Sequence, residues 1–178
     1  MEEYSAPEKQ NPVFYIALIG VLTALTTAVT AVLVIPFPTT SGYLNIGDTV
    51  VMTSGLMLGP AGAFFVGGVG SAMVDAVVAP QYAPITLIVK GCEGLVIALV
   101  SRSKEPSKRL RARDALALVC GAVVMLTGYF VGETWLLMLG IGPALLELVG
   151  VNSIQVTVGV LVAAAVGPVL RDHLRQLG

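Results

Sequence analysis

Lys90 and Glu93 stand three residues apart inside an apolar run. On a helix that spacing puts both on one face, where they can neutralise each other or reach toward a ligand. Asn152 and Gln155 repeat the spacing near the end of the chain. Their amides carry the donors and acceptors that distinguish the polar edge of a heterocycle, and they serve equally well as interhelical hydrogen-bonding groups. Glu133 follows Gly128-Tyr129-Phe130 in an otherwise apolar stretch. Asp48 opens an apolar run and reads as a helix cap, while Asp75 suits a cap or a cross-helix pair. These residues describe recognition rather than catalysis. HExxH, GxSxG, an aspartate array for phosphatidyl transfer and the GxxxxGK[ST] phosphate loop are all missing, so no enzyme activity and no cofactor are expected. The single histidine, His173, lies in a polar tail, and Cys92 and Cys120 sit apart in apolar runs, so no metal site is expected either.

The elements that position these groups follow from composition. Of 178 residues, 56% are hydrophobic and 12% charged, with a mean hydropathy of +0.88. Soluble domains carry about 25% charged residues. This is a membrane protein, and at about 20 residues per span it has room for six helices and no separate soluble catalytic domain. A net charge of −1 without a broad basic face excludes nucleic acid as a partner. The apolar runs cover 12–35, 48–59, 62–79, 84–100, 114–139 and 151–170, with the second shorter than a bilayer crossing. Between them lie a double-proline loop (36–47), a basic loop (101–113) and a glycine-rich break ending at Pro143. The polar segment 1–11 reads as a tail before a retained first span, and 171–178 as a second tail. The whole chain is expected to be one all-α membrane domain.

Six of ten Lys/Arg residues fall in 101–113, Arg171 and Arg175 follow the last span, and Lys9 precedes the first. The positive-inside rule makes these three segments, and both termini, cytoplasmic. The loop 36–47 and the connections near 80–83 and 140–150 contain no Lys or Arg and face outward. Asp48, Asp75, Lys90, Glu93, Glu133, Glu147, Asn152 and Gln155 then all gather toward the outer half, above an apolar floor. A channel would instead thread polar groups through the full thickness. Tyr43, Tyr82, Tyr129 and Trp135 fall near the outer interface as an aromatic belt, except that Tyr43 lies in the first loop and can act from a lid. The first span carries small residues at four-residue spacing, Gly20, Ala24 and Ala28, which permit close helix packing.

The segments GYLNIGDTVV (42–51), LMLGPAGAFFVGGVGSAMVD (56–75), APITLIVKGCEGL (83–95), GYFVGE (128–133) and ELVGVNSIQ (147–155), in this order, resemble the substrate-binding S components of energy-coupling factor (ECF) vitamin transporters. The resemblance covers nearly the whole chain. It implies a six-helix bundle in a prokaryotic plasma membrane that captures a vitamin-like molecule from outside. It implies docking on a transmembrane coupling protein and two ATPases, with Ala24 and Ala28 at the contact and 36–47 as an outer gate. The expected ligand-binding set is Tyr43, Asn45, Lys90, Glu93, Glu133, Asn152 and Gln155. Because 149–152 read Val-Gly-Val-Asn, departing from the proline-glycine-asparagine form associated with the riboflavin type, a B6 vitamer or hydroxymethylpyrimidine is favoured and riboflavin comes next. The alternatives are a stand-alone secondary transporter or channel and a membrane scaffold.

Overall fold

A computed structural model describes residues 12–38, 40, 42–101 and 109–177. The tail 1–11 and most of the basic loop, 102–108, lie outside the described residues, as do the side chains of 175–177. Helix α1 (Pro12–Val32) leads into a hairpin of two short strands, β1 (Ile35–Pro36) and β2 (Tyr43–Leu44). Then come α2 (Asp48–Met57), α3 (Pro60–Val78), α4 (Ala83–Ser101), α5 (Ala112–Val131), α6 (Ile141–Glu147) and α7 (Ser153–Leu177). A π-helical turn over 132–136 prolongs α5, and another over 148–152 joins α6 to α7 without a break. With α6 and α7 as one rod, the described residues form the six expected helices. Five are long and apolar enough to cross a bilayer, whereas the 10-residue α2 rises only about 15 Å.

Two boundaries differ from the sequence expectation. The last span begins at Ile141, ten positions earlier than Val151, because Pro143 falls in the first helical turn, where a missing N–H costs no hydrogen bond. The chain turns into it through positive φ at Met138 (53°) and Gly140 (83°). The loop 36–47 is not wholly irregular: Ile35 pairs with Leu44 and Pro36 with Tyr43 in antiparallel register, and the Phe37 N–H donates to the Gly42 carbonyl at 2.9 Å.

Small residues set the helix spacing. A Cβ at Gly94 would lie 2.6 Å from the Ala63 carbonyl oxygen, and one at Gly67 2.4 Å from that of Lys90, so α3 and α4 meet backbone to backbone. On the other side of α3, the Thr27 hydroxyl donates to the Gly70 carbonyl at 2.8 Å and ties α1 in place. Met52, Leu56, Ile97, Leu118, Met125 and Ala163 form the apolar interior.

The connections sort into two ends as the charge pattern predicts. At the basic end the Arg111 guanidinium reaches the Ser101 carbonyl (3.2 Å), and Arg171 reaches Asp114, so the ends of α4 and α7 meet the start of α5. At the opposite end Thr40 and Tyr82 both donate to Glu147, uniting the hairpin, the α3–α4 turn and α6.

Candidate functional site

At this second end, beneath the hairpin, the helices leave a polar cleft. Its walls include Tyr43 and Asn45 from the hairpin strand and the residues after it, Asp75 from α3, Tyr129 from α5, Asn152 from the second π turn and Gln155 from the start of α7. Its free interior is about 30 Å³, room for little more than a water molecule.

Four contacts hold the hairpin and its root down, each on a different helix. The Thr40 hydroxyl donates to Glu147 Oε2 on α6. The Tyr43 hydroxyl donates to Asp75 Oδ1 on α3. The Asn45 backbone N–H donates to Gln155 Oε1 on α7 at 2.7 Å. At the root, the Lys90 ammonium on α4 contacts Asp48 Oδ1. Three of these four partners are acceptors fed by a donor from the hairpin. Burial, reinforced by the neighbouring Asp75 carboxylate, raises the Tyr43 phenol far above its ordinary range. Burial and then the charges of Glu147 and Glu133 do the same to Tyr82. Both phenols therefore stay protonated and act as donors.

Beneath the cleft Lys90 lies between two carboxylates, Asp48 and Glu93, the latter at 3.1 Å. None of the three side chains is more than 3% exposed. Asp48 Oδ2 and Glu93 Oε1 have no hydrogen-bond partner. The Lys90–Glu93 pair expected from spacing is thus present, but with a third member. The reading of Asp48 as a helix cap is corrected: Gly47 precedes α2, no side chain caps that end, and the Asp48 carboxylate is drawn to Lys90, whose burial demands countercharge. The ammonium also lies 5.6 Å from the centre of the Tyr129 ring, and Tyr129, unlike Lys90, is part of the cleft wall. Tyr129 in turn shares a hydrogen bond with Thr86 at 2.8 Å.

Glu133 and Asn152 each sit within one of the two π turns. Such turns re-aim side chains that a regular α-helix would direct elsewhere. Glu133 is fully buried, and neither of its oxygens has a hydrogen-bond partner. The Asn152 Nδ2 is also buried without a partner.

Of the residues expected from the sequence, Tyr43, Asn45, Asn152 and Gln155 line the cleft, Glu133 lies behind it, and Lys90 and Glu93 form the ion cluster below. The expected ligand-binding set omits Asp75, Tyr82, Tyr129 and Glu147, all in the lining, although Asp75 and Glu147 belong to the outer polar cluster that the sequence shows. The two tyrosines were assigned to the aromatic belt, which only Trp135 fits, at 60% exposure. The available signal was the alignment of all four with the outer ends of their spans. Ala24 and Ala28 are exposed on the outer face of α1, in line with Gly20.

Two comparisons bear on this site. A protein from Pyrococcus woesei described as uncharacterised, in the gap 3′ region, is 33% identical over 148 residues, covering 83% of this chain and 95% of that protein. Residues 11–175 match the family described as the S component of the ECF-type riboflavin transporter. A family named for riboflavin, rather than for B6 or a pyrimidine, shifts the weight of the ligand assignment relative to the sequence expectation. With the match extending over nearly the whole bundle, this chain belongs to the family of ECF-type riboflavin transporter S components.

Proposed function

We propose that this protein captures riboflavin from outside the cell in the cleft beneath the hairpin and delivers it through an ECF module. Members of the family are non-enzymatic, substrate-binding, multi-pass membrane subunits, and that much holds for this chain. The finer reading places the flavin against Tyr43, Asn45, Asn152 and Gln155, with Glu133, Lys90 and Glu93 supporting the site from behind and below. Binding uses a few fixed polar groups in an otherwise enclosed pocket. The hairpin 36–47 must lift to admit a ligand, since the present interior is far smaller than any vitamin.

The observation that carries this reading is the family match over 11–175. It is supported by a cleft whose polar groups converge from α3, α5, the α6–α7 rod and the hairpin. Below the Lys90 cluster lie apolar side chains, Leu56, Ile97, Leu118 and Ala163 among them, which supports transport by movement of the whole subunit over conduction through a fixed channel. A transmembrane coupling protein and two ATPases supply that movement, with the exposed Ala24 and Ala28 face of α1 as the docking surface. The basic end, carrying Arg111, Arg113 and Arg171, is the cytoplasmic one by the positive-inside rule, and with it both termini.

Purified protein titrated with riboflavin, pyridoxine and hydroxymethylpyrimidine tests the proposal by flavin fluorescence quenching and calorimetry. The expected result is sub-micromolar binding of riboflavin alone. Binding of pyridoxine or hydroxymethylpyrimidine with no response to riboflavin at 50 µM, about a hundredfold above the affinity expected of a pocket of this kind, would overturn it.

A further inference from the structure

The acceptors that hold the hairpin closed have a consequence for what can replace it. Asp75, Glu147 and Gln155 each present an oxygen to a hairpin donor: the Tyr43 hydroxyl, the Thr40 hydroxyl and the Asn45 N–H. Lifting the hairpin takes one donor from each of these residues and leaves Glu147 the Tyr82 hydroxyl alone, at 3.4 Å, and a buried acceptor left underpaired is costly. Glu133 adds two more buried oxygens that lack a partner even in the closed state. Positive charge to balance them is scarce. Among the described residues, Lys90 is the one lysine or arginine away from the basic end, and it is already held by Asp48 and Glu93 and is not part of the cleft lining. The lining itself contains two carboxylates and no cationic side chain.

We infer that the cleft selects the unphosphorylated, hydroxyl-bearing form of its ligand and rejects the phosphate ester, with Asp75 and Glu147 as the discriminating residues. This rests on the reading of the cleft as a flavin site. Alcohol hydroxyls donate hydrogen bonds to the oxygens that the hairpin releases. A phosphate monoester brings about two negative charges and almost only acceptors to the same place, so it meets repulsion at Asp75 and Glu147 and does not replace the donors that the hairpin withdrew. Specificity here is a built-in penalty against the wrong partner more than an added attraction for the right one.

Riboflavin and its 5′-phosphate test this directly, with pyridoxine and pyridoxine 5′-phosphate as a second pair. The expected result is that the phosphate binds at least about 100-fold more weakly than its parent alcohol, the size of a like-charge clash in a partly dry site. Glu147→Gln and Asp75→Asn should each shrink that alcohol-to-phosphate ratio by at least about tenfold, whatever they do to the affinity for the alcohol itself. Two substitutions on different helices guard against one of them failing to fold. A phosphate that binds within threefold of its alcohol overturns the inference while leaving the flavin reading intact. If riboflavin fails and pyridoxine binds, the flavin reading falls and the second pair decides the inference by the same ratio. If neither alcohol binds, both fall. A ratio unchanged in folded Glu147→Gln and Asp75→Asn also overturns it.

Discussion

Arg171 grips Asp114 through two parallel hydrogen bonds, Nη1 to Oδ1 at 2.8 Å and Nη2 to Oδ2 at 3.0 Å. Asp114 is fully buried and Arg171 is 5% exposed. Arg111 adds a second guanidinium to the same carboxylate, through Nε at 3.0 Å and Nη2 at 2.9 Å. The last residues of α7 are thereby fastened to the first turn of α5 at the end of the bundle farthest from the cleft.

Removing one partner from such a pair strands the other. Arg171→Met should destabilise the protein by about 3 kcal/mol, the low end for a broken buried ion pair because Arg111 remains. Thermal unfolding in detergent measures this. Riboflavin affinity should stay within about threefold, since the substitution lies a full bundle length from the cleft. A variant that keeps its stability would show that the clamp contributes nothing.

The Lys90 cluster makes a different prediction. Lys90→Met leaves Asp48 and Glu93 facing each other in a site from which water is excluded, a loss of about 3–5 kcal/mol. Neutralising both carboxylates as well, in Asp48→Asn/Lys90→Met/Glu93→Gln, should recover more than half of that loss, because a neutral cluster has no stranded charge. Unfolding midpoints of the single and triple variants measure the coupling. A triple variant no more stable than Lys90→Met would mean that the lysine acts through packing alone.

How far this arrangement was legible beforehand differs from residue to residue. The Lys90–Glu93 pair followed from spacing, because a helix fixes which neighbours meet at three residues' distance. Asp48 joined it through tertiary contact between α2 and α4, which no periodicity within one helix reveals. The grouping of loops into two ends followed from where the basic residues fall. Glu133 was singled out because a charge in an apolar run is expensive, yet the π turn that aims it was invisible, since Gly132–Leu136 carries no mark separating it from regular helix. Tyr82 and Tyr129 were misplaced for a plain reason: an aromatic ring at the depth of the interface looks the same in sequence whether it faces lipid or a cleft.

If the hairpin is the gate, the Tyr43–Asp75 hydrogen bond is one of its latches, and it must break before a ligand enters. A hydrogen bond to a charged group contributes about 1.5–3 kcal/mol. Tyr43→Phe should therefore populate the open hairpin more often and raise the riboflavin association rate by about tenfold, in proportion to the competent fraction. Stopped-flow quenching of flavin fluorescence measures the rate. An association rate equal to that of the unaltered protein would mean that entry does not pass through this latch.

The face of α1 that carries Gly20, Ala24 and Ala28 is exposed, while the threonines on the opposite face, Thr23, Thr26 and Thr30, are buried against the bundle. The helix is thus packed through one side and leaves its flat side free. Within the fold that flat side has no duty, so larger side chains there should be harmless: leucine forms helix nearly as well as alanine and is at home in lipid. Ala24→Leu/Ala28→Leu should accordingly leave unfolding temperature and riboflavin affinity unchanged. A coupling protein that approaches closely over small residues meets two new branched side chains at the point of contact, and close approach is what makes such stripes adhesive. Uptake of riboflavin by cells or by proteoliposomes containing the complete module should fall at least about tenfold, a modest loss of about 1.4 kcal/mol at the contact. Uptake equal to that of the unaltered protein would place the docking surface on another helix, and a fall in stability would show that α1 packs more tightly than its exposure implies.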